Sequence, residues 1–162
     1  MKLLLIRHAA AVEPGDFPGG DLDRPLTEEG RKKARRAFKT LAGLHPDIEV
    51  VLTSAARRAV ETGDLLAGRI GKPEQVATER LNPGCGVADL ARALAELPSP
   101  PEAVAVVGHE PDLSHILAHI AGAGAMRVRF KKAACAVVDI NQQLKGELLA
   151  FLPPATLLAQ AD

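Results

Sequence analysis

Three short runs in this sequence end an apolar stretch in residues that can do chemistry. Leu3-Leu4-Leu5-Ile6 leads into Arg7-His8, Val50-Val51-Leu52 into Thr53-Ser54 with Arg57-Arg58 close behind, and Ala103 to Val107 into Gly108-His109. Guanidinium groups grip phosphoryl oxygens with charge and a planar fork of donors. A neutral imidazole can act as a nucleophile or as a hydrogen-bonding partner. Two histidines and several arginines gathered at one place therefore suit phosphate chemistry, which mainly requires positioning and neutralisation of spread negative charge. His8 and His109 would also serve as zinc ligands, but no third ligand is evident and arginines nearby oppose a cation, so no metal and no cofactor is expected. Cys85 sits in a Pro-Gly loop with no sign of a nucleophile elbow. Gly19-Gly20 and Gly84-Cys85-Gly86 lack the spacing and the following lysine of a nucleotide loop.

The elements that must position these groups follow from the same runs. A strand apolar on both faces belongs to a parallel sheet covered by helices, and such sheets bind ligands at the carboxyl ends of their strands. The segment Asp47 to Thr53 reads as a second strand, Gln75 to Thr78 as a short third, and Ala103 to Val107 as the clearest buried one. Thr27 is a good N-cap with Glu28 and Glu29 in the first turn behind it. Ala34, Ala37, Phe38, Leu41 and Leu44 then recur at helical spacing, leaving Arg31, Lys32, Arg35, Arg36 and Lys39 as a solvated face. Further helices are predicted from Ala55 to about Ile70 with Gly71 near the stop, from Val87 to Leu97, and from Asp112 to the vicinity of Gly122 and Gly124. Met126 to Phe130, Ala134 to Ile140 and Glu147 to Leu152 read as strands, and the tail as one short helix. The Pro/Gly/Asp-rich segment 13–25 is a surface loop of the length that carries function. The expected fold is a three-layer α/β/α sandwich whose central sheet is mostly parallel with an antiparallel edge.

Composition narrows the function classes. A chain of 162 residues is expected to form one domain over residues 1–162. Its 20 basic and 20 acidic residues cancel, so nothing global attracts nucleic acid, and with no Trp, no Tyr and 4 Phe there is no stacking platform for it. Two distant cysteines, Cys85 and Cys135, read as reduced thiols. No apolar run reaches membrane-spanning or signal-peptide length, so the expectation is a cytoplasmic protein with no membrane partner.

Four motifs in order, Leu5-Ile6-Arg7-His8, Asp21-x-x-Arg24-Pro25-Leu26-Thr27, Thr53-Ser54-x-x-x-Arg58-Ala59-x-Glu61-Thr62 and Gly108-His109-Glu110-Pro111, together resemble the histidine phosphatase (phosphoglycerate mutase-like) superfamily. The second motif and the small size are similar to its SixA-type phosphohistidine phosphatase branch. The resemblance implies that His8 is the nucleophile, forming a phosphohistidine intermediate. It implies that Arg7 and Arg58 clamp the phosphoryl oxygens, that His109 donates a hydrogen bond to them, and that Arg24 reaches or braces the same pocket. Arg57, one position early in the turn, is expected to point elsewhere. The implied substrate is a phosphohistidine-bearing protein and the product inorganic phosphate.

Three positions depart from the family pattern. Ala9 replaces Gly after the Arg-His pair, Ala55 replaces Pro after Ser54, and Glu61 replaces Gln and is placed to pair with an arginine. Asp21 is the candidate proton donor, with Asp23, Glu79 or water as alternatives, and a turn-capping or Arg24-pairing role explains Asp21 equally well. Departure of an imidazole needs less acid catalysis than departure of an alkoxide. The rival readings are a general small-molecule phosphomonoesterase, a mutase, and a weakly active or non-enzymatic phosphate-binding module.

Overall fold

In the computed structural model, which describes residues 1–122 and 125–161, a six-stranded sheet lies between two layers of helices. The strands are β1 (Lys2–Arg7), β2 (Val50–Ser54), β3 (Glu74–Thr78), β4 (Ala103–Gly108), β5 (Cys135–Ile140) and β6 (Gly146–Leu152). The helices are α1 (Glu28–Leu44), α2 (Arg57–Ala67), α3 (Val87–Ala95), α4 (Asp112–Ala121) and α5 (Pro154–Ala159). Strand order is β3-β2-β4-β1-β5-β6, with β3, β2, β4 and β1 parallel and β5 antiparallel to both neighbours. This is the predicted mostly parallel sheet with an antiparallel edge.

Two cores arise from the alternation of side chains along each strand. Leu3, Leu5, Val104, Val106, Ala136 and Val138 face one side and pack with α3 and α4 residues such as Leu90, Leu113 and Ile116. Leu4, Ile6, Ala105, Val107 and Val137 face the other and pack with Ala34, Phe38 and Leu41 of α1, Leu66 of α2 and Leu157 of α5. Helices α1 and α4 follow the adjacent strands β1 and β4 yet cover opposite faces. The β1–β4 boundary is thus the switch point of the sheet, where a crevice opens beyond the strand ends.

Local chemistry explains the element ends. Thr27 caps α1 by accepting from the Gly30 N–H at 3.0 Å. Helix α2 stops at Ala67, three residues before the predicted Ile70, because Gly68 is a poor helix former and its N–H closes the last turn on the Asp64 carbonyl. The reversal then falls at Lys72, with φ of 59°, and not at Gly71. Helix α4 ends at Ala121 with Gly122 as its cap, and Gly124 lies outside the described residues.

One expected strand is overturned. Residues 126–130 have no ladder partner, although Phe130 is fully buried and Met126 and Val128 pack against the same core. The period-two pattern is real, but the carbonyls of Val128 and Phe130 accept from Ser114 Oγ (2.8 Å) and an Arg7 guanidinium nitrogen (2.7 Å) instead of a neighbouring strand.

Glycine is required where backbone meets backbone. A Cβ on Gly30 would lie 2.2 Å from the Ala10 carbonyl oxygen, whereas one on Gly43, in the same helix, meets nothing. Gly30→Ala is expected to cost about 1–3 kcal/mol by overpacking, and Gly43→Ala to be neutral or to stabilise by up to about 1 kcal/mol. Urea-unfolding midpoints of the two variants check this pair.

Candidate active site

Parallel pairing of β1 with β4 runs to Arg7 opposite Gly108, and the His8 N–H continues it by donating to the Gly108 carbonyl at 3.0 Å. The next residue on each strand is a histidine. His8 and His109 therefore meet with ring centroids 5.1 Å apart, and both are buried. Nδ1 of His8 lies 2.7 Å from the Ala9 carbonyl, which can only accept, so Nδ1 carries the proton and Nε2 holds a free lone pair. Burial, and then the neighbouring Lys132 ammonium, press the His8 pKa down to about 2. This imidazole is neutral throughout the physiological range.

His109 is oriented by a relay from the end of β2. Ser54 Oγ donates to Asn82 Oδ1 (2.9 Å) and accepts from the Ala56 N–H (3.1 Å), so its contact with His109 Nε2 at 2.9 Å makes that nitrogen a donor. Nδ1 of His109 is then a buried lone pair with no partner. Burial, then Arg58, lowers this histidine to about 4.

The arginines sort themselves by one step of the α2 helix. Arg58 is 4 % exposed and turns toward Asp21, while Arg57 is 54 % exposed and turns to Glu61. The two Arg58 terminal nitrogens donate to the Asp21 carbonyl (2.6 Å) and to Asp21 Oδ2 (3.0 Å). Arg24 Nε donates to Asp21 Oδ1 (2.9 Å), and another Arg24 nitrogen to the Val12 carbonyl (2.6 Å). Asp21 thus bridges two guanidinium groups. Its partial burial would raise its pKa, but the hydrogen bonds from Arg24 and Arg58 outweigh this and hold it below the usual carboxylate range. That is the environment of an ionised brace, opposite to what a proton donor at neutral pH needs. Asp23 and Glu79 are exposed, Glu79 lining an open groove of about 730 Å³ beside Asn82 and Cys85.

The three departures from the family pattern have local accounts. Ala9 is buried, its methyl packed in the α1-side core, and its N–H donates to Thr62 Oγ1 at 3.0 Å. The Ala55 N–H donates to the Thr78 carbonyl at 3.1 Å, a bond proline could not make. Glu61 accepts from the Leu26 N–H and pairs with Arg57 and Arg31, so it ties the 21–26 loop to α2 and leaves Arg58 alone.

Four buried side-chain polar atoms lack a hydrogen-bond partner among the described residues, and three are here: Arg7 Nε, Arg58 Nε and His109 Nδ1. Each such atom ordinarily costs about 1–3 kcal/mol, so their convergence marks a place built for something else to bind. The sequence assigns no role to two further residues of the site, Thr62, which ends the third motif, and Lys132, which lies in none. Thr62 orients Ala9 and also donates to the Arg58 carbonyl at 2.6 Å, and Lys132 brings Nζ to 3.5 Å from His8 Nε2. Nothing local marks Lys132, whose contact with His8 joins segments 124 positions apart, and the Thr62 contact with Ala9 joins segments 53 positions apart.

An open α/β sheet with two neutral histidines and three arginines at its switch point defines a phosphate-handling protein. The comparisons agree. Residues 3–82 match the model of the histidine phosphatase superfamily (branch 1). An uncharacterized protein of the cyanobacterium Picosynechococcus sp. is 31% identical, the match covering 98% of this chain and 99% of that one. The structure of the protein histidine phosphatase SixA complexed with tungstate is similar with a TM-score of 0.85 and 25% identity, over 97% of this chain and 99% of that one. The alpha-ribazole phosphatase from Shigella flexneri shares the fold, with a TM-score of 0.65 and 20% identity over 95% and 97% of the two chains. The chain belongs to the histidine phosphatase superfamily, in its SixA-type branch.

The buried histidines set an acid limit on stability. In the unfolded chain both take up protons near the ordinary value of 6.5, whereas folded His109 resists to about 4 and His8 to about 2. Below that ordinary value the unfolded state binds more protons, so stability is lost as pH falls, by at most about 1.4 kcal/mol per pH unit for each histidine. His8→Gln and His109→Asn should each flatten the acid limb of unfolding free energies measured in urea between about pH 6.5 and about pH 4.

Proposed function

We propose that this phosphatase removes phosphate from a protein phosphohistidine through a covalent phospho-His8 intermediate. The observation that carries the reading is the His8 tautomer: Nδ1–H held by the Ala9 carbonyl, with a neutral Nε2 beside half-buried Arg7 and buried Arg58. His8 Nε2 attacks phosphorus, the bond from phosphorus to the substrate nitrogen breaks, and the departing imidazole leaves neutral after taking a proton from solvent. Water then attacks phospho-His8, releasing inorganic phosphate and restoring the free imidazole.

The other groups contribute charge and orientation. Arg7 and Arg58 have unused Nε–H donors for the phosphoryl oxygens, and Arg24 braces Arg58 through Asp21. A bound dianion raises the pKa of His109, so that its free Nδ1 takes a proton and donates to a phosphoryl oxygen. The surrounding cations oppose a divalent metal, which supports metal-independent chemistry.

The engagement of Asp21 as a brace favours phosphohistidine over esters, since an imidazole leaves without a strong acid and an alkoxide does not. Residues 1–162 are read as one catalytic domain working in the cytoplasm; no helix of the described residues is long and apolar enough to cross a membrane. A small-molecule phosphomonoesterase is the second reading, favoured by the open groove lined by Thr78, Glu79, Asn82 and Cys85, which could seat a small leaving group.

The test is phosphate release at neutral pH with EDTA present. Wild type is expected to dephosphorylate a phosphohistidine carrier protein and to trap label on His8, and His8→Ala to lose at least about 1,000-fold in rate. Faster turnover of p-nitrophenyl phosphate than of the carrier would move the assignment to the monoesterase. Phosphate binding with no turnover of either would make the chain a binding module.

A further inference from the structure

We propose that Lys132 is a phosphate-binding residue of this site, its ammonium donating to a phosphoryl oxygen beside His8 Nε2. The proposal rests on His8 as the nucleophile and adds a cation that the sequence motifs do not contain.

The backbone holds Lys132 in place from both sides. The Ala133 N–H donates to the Arg7 carbonyl (3.1 Å) and reaches the His8 carbonyl (3.4 Å), and the Arg7 N–H donates to the Ala134 carbonyl (3.1 Å). Ala133 adopts a φ of 62°, in the left-handed region, and the Ala134 N–H closes the turn on the Lys131 carbonyl at 2.9 Å. This tight turn at the start of β5 is stitched to the end of β1, so the lysine stem is directed at His8 by main-chain bonds. An alanine in a left-handed conformation is strained, and strain of this kind is retained where the surroundings over-determine the geometry.

The side chain has no counter-ion. Among the described residues Lys132 makes no salt bridge, and its polar contact is His8 Nε2 at 3.5 Å. Facing it are Arg7 and His8 from the end of β1, Glu13 and Arg24 from the loops on either side of Asp21, Arg58 from α2 and His109 from the end of β4. Arg7, Arg24 and Arg58 against the carboxylates of Glu13 and of Asp21, which bridges Arg24 and Arg58, still leave a net positive cluster around a half-buried ammonium. A lysine kept in such company lacks an anion, and a phosphoryl group on the line of attack from Nε2 places an equatorial oxygen within its reach. Before the anion binds, the same ammonium helps keep Nε2 unprotonated.

The cost of this placement supplies the signature. Burial first, and then Arg7, brings the Lys132 pKa down to about 8. The two histidines, lowered to about 2 and about 4, and Cys85, pushed up to about 11, titrate outside this range, and a guanidinium group does not lose its proton within it. In the free protein Lys132 is therefore the group facing the site that titrates near pH 8, whereas His109 takes its proton only with the anion bound and adds a pH slope that Lys132→Met leaves in place. An anion that needs the ammonium must bind progressively more weakly as pH rises through that value.

The experiment measures inorganic phosphate affinity calorimetrically, from about pH 7.5, where the dianion predominates, to about pH 9.5. Wild type, Lys132→Met and Lys132→Arg are compared, with thermal melts confirming folding. Wild type is expected to lose affinity above about pH 8. Lys132→Met should bind about 10- to 100-fold more weakly at the lower end and lose the break. Lys132→Arg, charged throughout, should retain binding and move the break out of the range. Equal affinity and an unchanged pH profile in Lys132→Met would overturn the assignment of Lys132 while leaving His8 as nucleophile. Failure of wild type to bind phosphate at any pH would overturn both, and label trapped on His8 distinguishes the two cases.

Discussion

Everything at the site depends on the parallel pairing of β1 with β4. Their ladder ends with Arg7 opposite Gly108, and one further bond from the His8 N–H to the Gly108 carbonyl carries the register past the strands. Because the helices after these two strands pack on opposite faces, no helix closes over the gap between them. Two residues 101 positions apart in the chain, His8 and His109, thereby become neighbours through backbone register, and Ser54 then orients the His109 ring. A slip of one residue in this register would turn either Leu3 and Leu5 or Val104 and Val106 to the wrong core, so the apolar pattern that stabilises the sheet also positions the chemistry.

Around this pair, neutrality and charge are kept apart. Both imidazoles are buried and held neutral, while positive charge is supplied by the guanidinium groups of Arg7, Arg24 and Arg58. A nucleophile must keep its lone pair and a phosphate site must keep its cations, and burying both in one place serves both needs. Burial first, and then the neighbouring cations, lower the histidine pKa values. Asp21 bridges Arg24 and Arg58, a carboxylate that balances part of their charge.

The loop that carries Asp21 is fastened by residues serving no chemistry of their own. Glu61 accepts from the Leu26 N–H and pairs with Arg31 and Arg57, joining the loop, α1 and α2. Thr62, one residue on, holds Ala9 by its N–H, and Gly30 lets α1 approach the Ala10 carbonyl. Ala9, in the turn after His8, buries its methyl in the α1-side core.

What the sequence by itself determined was the set of elements and the four motifs on them. Runs such as Leu3–Ile6 and Ala103–Val107 are apolar on both faces, and that pattern has one economical solution, a strand buried between helix layers. His8, Arg7, Arg58 and His109 were legible because each closes or follows such a run, and the separation of Arg58 from Arg57 follows from helical rotation alone. Tertiary structure decided the rest. Residues 126–130 alternate like a strand yet pair with none, since their carbonyls are taken by Ser114 and Arg7. The ionised, bridging state of Asp21 depends on two arginines converging from separate segments. Lys132 lies 124 positions from His8 and enters the site only because β5 pairs antiparallel to β1, a contact no local pattern encodes.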